Sequence, residues 1–140
     1  MKKVIFICRG NMFRSQIAVA IYNALMSDIS VAEGYGTAVA QENRQGTVLC
    51  SYPEMVIALR FMEDRGLNIS KQCCKQITPQ ALVGANSIIM MSEPEFIPEW
   101  LLSYKYEFWE VPNPTHHTEK IVEDTHALLY EKILDFLLVS

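Results

Sequence analysis

The chain has no basic surplus, no long apolar run and few cysteines, and each shortage removes a class of protein. Its 140 residues hold 12 Lys and Arg against 16 Asp and Glu, a formal net charge of −4. Nothing in that balance forms the positive footprint that nucleic acid or an anionic membrane surface requires, so neither partner is expected. No uninterrupted apolar stretch approaches the ~20 residues of a membrane-spanning helix. The N-terminus carries two lysines, but the apolar run VIFIC after them stops at Arg9. That is too short for a secretory leader. The four cysteines are Cys8, Cys50, Cys73 and Cys74. Two are adjacent and none has the spacing of a secreted disulfide framework, which predicts free thiols in a reducing cytoplasm. Repeats, low-complexity tracts and an internal linker are also lacking.

The remainder is ordinary globular material, 50% hydrophobic and 20% charged. The length suits one domain, residues 1–140, around one sizeable core. Val4 to Cys8 is continuous, β-branched and aromatic, which predicts a buried strand. From Ser15 the period changes: Ile17, Ala18, Ile21, Ala24 and Leu25 recur at helical spacing, with Ser15 as a cap near the start. A second strand is predicted near Ser30 to Ala32, running towards Gly36, and the segment to Tyr52 as loop with some helix. Pro53 to Asp64 reads as a helix with proline in its first turn and Gly66 as its stop. Thr78 to Val83 predicts a short helix, and Ser87 to Met91 a third strand. Glu93 to Tyr104 predicts a helix interrupted by prolines. Glu107 to Val111 predicts a fourth strand, and Thr118 to Leu138 a long final helix with Ile121, Val122, Leu128, Leu129, Ile133, Phe136 and Leu137 on its apolar face. The alternation implies an α/β fold, a four-stranded parallel sheet with helices on both faces. Ligands of such sheets bind at the carboxyl ends of the strands. Two chemical-looking loops fall there, CRGNMFRS after the first strand and VPNPTHH after the fourth.

CRGNMFRS, Cys8 to Ser15, joins a strand to a helix start, where unpaired N–H groups and the helix dipole favour an oxyanion. Successive N–H groups of such a turn can form a nest. Gly10 is expected to help the backbone curl, and Asn11 tolerates a left-handed conformation. Arg14 offers a fork for two phosphate oxygens. Cys8 at the base of this cradle is expected to serve as a thiolate nucleophile. Ser15 can donate a hydrogen bond to its sulfur. Residues Arg9 to Arg14 (Arg9, Gly10, Asn11, Met12, Phe13, Arg14) are therefore the candidate phosphate-binding loop.

A cysteine, five residues, then Arg14 and Ser15, directly after the first strand, resembles the phosphate-binding loop of the low-molecular-weight protein tyrosine phosphatases, a family that includes thioredoxin-coupled arsenate reductases. FICRGNMFRSQIA is similar to that loop and the first helix. Weaker echoes follow at Gly36-Thr37, Arg65-Gly66-Leu67, Gln76-Ile77-Thr78 and Val111-Pro112-Asn113-Pro114. The resemblance implies the flavodoxin-like strand order 2-1-3-4. It also implies hydrolysis of a phosphate monoester in two steps without metal or cofactor. Cys8 would form a phosphocysteine, Arg14 and the loop N–H groups would hold the equatorial oxygens, and a general acid would protonate the leaving alcohol. The implied partners are a phosphotyrosine protein or a small phosphomonoester, with inorganic phosphate as product.

The sequence departs from the family pattern at particular places. The catalytic aspartate corresponds to Asn113, whose carboxamide neither donates nor accepts a proton as an acid or base near neutral pH. His116, His117, Glu119 and Glu110 are the nearby groups that could replace it. The usual second cysteine of the loop is Phe13, so no disulfide can form within the loop. Gly34 and Lys71 stand where a serine and a histidine prop the loop, and Thr115 and His116 where aromatics line the entrance. Arg9 adds a positive charge that would favour a more anionic substrate. The segment MMSEPEFIPEW lacks the cysteines an arsenate reductase needs there. A zinc site from Cys73, Cys74, His116 and His117 is disfavoured by its adjacent ligands. Three readings remain open: a slow phosphatase, a phosphate-binding module without turnover, and, least favoured, an oxyanion reductase.

Overall fold

The computed structural model describes residues 1–139. Four parallel strands form one sheet in the order β2-β1-β3-β4. They are β1 (Lys2–Cys8), β2 (Ser30–Gly36), β3 (Ser87–Met90) and β4 (Glu107–Phe108). Three α-helices accompany them, α1 (Arg14–Met26), α2 (Val56–Glu63) and α3 (Glu119–Val139). Alternation along β1 divides the core, because successive side chains leave a strand on opposite faces. Val4, Phe6 and Cys8 enter one cluster with Ile17 and Ile21 of α1, Ala58 and Met62 of α2, and Val122, Leu129 and Ile133 of α3. Ile5 and Ile7 enter the other, with Ile88, Met90, Leu82 and Leu101. Helices thus cover both faces, but the second is covered by the short 3₁₀ segments Pro79–Leu82 and Glu99–Ser103.

The differences from the expected elements have local causes. Residues 93–104 form no α-helix but two 3₁₀ turns, Pro94–Phe96 and Glu99–Ser103. Pro98 lacks the N–H that a continuous helix would use and pushes the preceding residue to extended backbone; Ile97 sits at φ −80°, ψ 120°. The helix expected from Pro53 opens as a 3₁₀ turn, Pro53–Met55, and becomes α-helical only at Val56. β4 is two residues long, against the five expected. β3 ends at Met90, so once the Trp109 N–H has donated to the Met90 carbonyl (2.8 Å) the chain continues buried to Val111 without further strand pairing. On α1 the buried stripe runs through Ile17, Ala18, Ile21 and Tyr22, while Ala24 and Leu25 face outward. Tyr22 takes the inner position because its hydroxyl donates to Ser30 Oγ (2.8 Å). Ser15 is no cap: α1 begins at Arg14 with Phe13 in the cap position and no side-chain cap bond.

The end of β2 presses against the loop that follows β1. A Cβ built on Gly36 would lie 2.5 Å from Val39 Cγ2, 2.6 Å from the Arg9 carbonyl oxygen and 2.9 Å from the Asn11 nitrogen. Two of those three atoms are loop backbone, which cannot swing aside as a side-chain tip can. Gly36→Ala is therefore expected to lower unfolding stability in urea by about 1–3 kcal/mol, the usual range for overpacking a tight site. A midpoint equal to that of the parent chain would contradict this close approach.

Candidate active site

Cys8 ends β1 with its side chain on the α1 face, 2% exposed. The next residues turn back through Asn11, whose φ is 50°, the left-handed region that asparagine tolerates. Gly10, by contrast, has no positive φ and open space where a Cβ would be. The turn is carried by Asn11 rather than by the glycine. In that conformation the Asn11 N–H donates to Cys8 Sγ (3.3 Å).

The Asn11 side chain orients the rest. Its Oδ1 accepts from the Lys75 backbone N–H at 2.9 Å and from Gln16 Nε2 at 3.3 Å. A backbone N–H can only donate, so the amide orientation is determined, and Nδ2 must face Ser15. Nδ2 donates to Ser15 Oγ at 2.7 Å. Ser15 Oγ is therefore the acceptor there, and its own hydrogen is left for Cys8 Sγ at 3.1 Å. Two donors thus converge on one sulfur, where each can hydrogen-bond it as it attacks or departs. Gln16 completes the brace by donating to the Asn11 carbonyl (3.0 Å) and the Cys73 carbonyl (3.1 Å). The expected props do not serve: Lys71 is exposed, and Gly34 contributes only room beside Asn11. Gln16 and the Lys75 amide carry that task, and nothing in residue type or spacing announced them.

Arg14 is 3% exposed. Its Nη1 donates to the carbonyls of Met91 (2.7 Å) and Val111 (3.1 Å), beyond β3 and β4, and its Nη2 to Glu93 Oε1 (3.3 Å). A guanidinium has five N–H groups. These three bonds leave Nε–H and one Nη2–H of Arg14 for a further acceptor, and a guanidinium can meet phosphate oxygens with two such N–H groups. The first helical bond of α1 runs from the Ile17 N–H to the Phe13 carbonyl. The N–H groups of Arg14, Ser15 and Gln16 therefore lack helical partners, as at any uncapped helix start.

These groups open into a cavity of about 520 Å³ lined by Cys8, Arg9, Gly10, Met12, Phe13 and Arg14, with Asn113 to Thr118 across from them. Asn11 and Ser15 are fully buried beneath the loop. Asn113 is exposed on the rim. His116 and His117 also line the cavity, whereas Glu110 and Glu119 do not. Arg9 is not a free charge: Nη2 meets Glu42 Oε2 at 2.8 Å and the guanidinium lies 3.8 Å above the Phe96 ring. The expected preference for extra negative charge therefore cannot rest on Arg9.

Phe13 has a partner that its sequence position hid. Its ring stacks on His117 at 4.4 Å between centroids and 17° between planes. The stack joins the loop after β1 to the segment after β4, 104 positions along at His117 (13 to 117). His117 Nδ1 is buried without a hydrogen-bond partner among the described residues. Burial pushes the imidazole below its ordinary value of 6.5, and the neighbouring Glu54 opposes the shift.

No family model and no curated protein matches the sequence. Solved structures do. The low molecular weight protein tyrosine phosphatase of Streptococcus pyogenes is 25% identical with a TM-score of 0.76, over 98% of this chain and 91% of that one. Vibrio vulnificus Wzb, in complex with benzylphosphonate, is 15% identical with a TM-score of 0.76, over 96% of each chain. An arsenate reductase in the phosphate binding state is 22% identical with a TM-score of 0.73, over 99% and 98%. The fold is that of the low-molecular-weight protein tyrosine phosphatases and the related arsenate reductases, along the full length of the chain. Within that fold the chain is a divergent form, with Phe13 in the loop and Asn113 opposite it.

The sign of the His117 shift gives a pH test. The imidazole is held below 6.5 when folded, so the unfolded chain binds more protons as pH falls through that value. Stability should rise with pH across the window below and around 6.5. His126 is shifted the same way by its burial. His117→Phe keeps the stack and removes the titration. It should flatten part of the fall in Tm between pH 7.5 and 5.5, and an unchanged slope would rule His117 out as a source.

Proposed function

We propose that the protein is a cysteine-dependent phosphate-monoester hydrolase, slow towards poor leaving groups. The observation that carries the reading is the convergence on Cys8 Sγ of the Asn11 N–H and Ser15 hydroxyl, in the cavity that Arg14 also lines. Cys8 attacks phosphorus as the ester oxygen leaves. Arg14 and the open N–H groups of the loop and first turn take the equatorial oxygens, where charge spreads in the transition state. Ser15 steadies the sulfur when water displaces it from the phosphocysteine. Met12 and Phe13 on the loop, and Val56 and Ile57 opposite, supply apolar wall for an aryl group. A phosphotyrosine side chain or a small aryl phosphate is the substrate of choice.

Asn113 takes the place where a proton donor is needed. Losing a positioned acid or base costs about 10²–10⁴ in rate, least where the leaving group needs no proton. The same residue favours a second reading, a phosphate-binding module with no turnover. Oxyanion reduction is the weakest reading, since Cys50 is exposed and Cys74 is buried, and neither follows β3.

Hydrolysis of 4-nitrophenyl phosphate, with Cys8→Ser beside it, tests the proposal. A burst or slow turnover that disappears in the variant is expected. Vanadate binding with no turnover would overturn the enzyme reading in favour of the module. Asn113→Asp should raise turnover about tenfold or more on an alkyl phosphate and less on the nitrophenyl ester. Equal gains, or none, would mean that the missing acid is not what limits the rate.

A further inference from the structure

Three arginines and two glutamates line the cavity, Arg9, Arg14 and Arg44 with Glu42 and Glu54. Their charges are in different states. Arg9 is paired with Glu42 at 2.8 Å and Arg14 with Glu93 at 3.3 Å. Arg44 has no carboxylate within 4.0 Å among the described residues. Its Nη1 reaches only the Met12 thioether, at 3.3 Å, and a thioether is a weak acceptor. Its guanidinium lies 5.2 Å from the centroid of the Tyr52 ring, a contact that steadies a cation without cancelling its charge. Glu54, the other acid of the rim, lies beside His117.

Arg44 is half-buried. A partly desolvated charge with such weak partners is poorly compensated. Its backbone is held in place: the N–H donates to the Val39 carbonyl at 2.8 Å and the carbonyl accepts from Thr47 at 2.9 Å. Through Met12 it also touches the loop that wraps Cys8. An anion bound at Cys8 therefore shares its cavity with a second, positioned cation, in a chain whose net charge is −4. We infer that Arg44 is a specificity residue that takes a second anionic group of the substrate, and that the preferred substrate is a phosphotyrosine flanked by an acidic side chain. The phosphate sits over Cys8 and Arg14, the ring passes the apolar wall, and the neighbouring carboxylate pairs with Arg44. The inference rests on the reading of the loop as a phosphate site.

The test compares two phosphotyrosyl peptides, one with glutamates beside the phosphotyrosine and one with glutamines. The proteins are the parent chain, Arg44→Gln and Arg44→Lys. The parent should favour the glutamate peptide about three- to tenfold in kcat/KM at low salt, and the preference should shrink as salt is added. Arg44→Gln should bring the ratio close to one, and Arg44→Lys should keep part of it. A ratio that survives Arg44→Gln, or that Arg44→Lys loses as completely as Arg44→Gln, would overturn the inference. The same ratios are read as peptide binding in a Cys8→Ser background. Absent turnover with an Arg44-dependent binding preference defeats the hydrolase and leaves the inference standing. Turnover without that preference does the reverse.

Discussion

The amide of Asn11 is the joint on which the site depends. Its backbone, at φ 50°, aims an N–H at Cys8. Its side chain spans Ser15 on α1 and the backbone amide of Lys75, 64 positions away. Because Lys75 can only donate, the amide has one orientation, and that orientation decides which way the Ser15 hydroxyl turns. The segment holding Lys75 is itself tied to the sheet, since the Gly36 N–H donates to the Lys75 carbonyl at 2.8 Å and Ile77 donates back to the Gly36 carbonyl. A left-handed non-glycine residue is thus held by interactions on all sides, as local strain at a site requires. Gly36 and Gly34 leave the space for it.

The sheet reaches the site a second time through Arg14. β3 and β4 end early, and the carbonyls just past their ends, Met91 and Val111, find their donor in one guanidinium. The same bonds satisfy buried backbone and immobilise a long side chain that would otherwise lose freedom only on binding a ligand. Rigid placement of the fork is therefore a by-product of how the short strands terminate. The other two arginines of the cavity show how little residue type alone says about charge, for one is neutralised by Glu42 and one is left with a thioether.

Phe13 and Asn113, read separately, are two losses from a family pattern. In space both line one cavity. The aromatic ring that replaces a thiol carries His117 by stacking, and His117 lies four positions beyond Asn113. The segment opposite the loop meets it through this ring contact, with a titratable ring at the contact.

The strand–helix alternation, the parallel sheet, the cradle from Cys8 to Ser15 and the family resemblance were legible in the chain, because period, β-branching and a compact motif are local properties. So was the left-handed position of Asn11. The proline-interrupted helix expected over 93–104 is two 3₁₀ turns because Pro98 removes an N–H and holds Ile97 extended, and Ser15 is not the expected cap because a hydroxyl's partner is chosen by what surrounds it. Gln16, the Lys75 amide, the Phe13–His117 stack and the division of labour among Arg9, Arg14 and Arg44 were decided only by tertiary structure. Each depends on a contact between segments far apart in sequence. A side chain's partner, unlike its period, exists only once the sheet has brought those segments together.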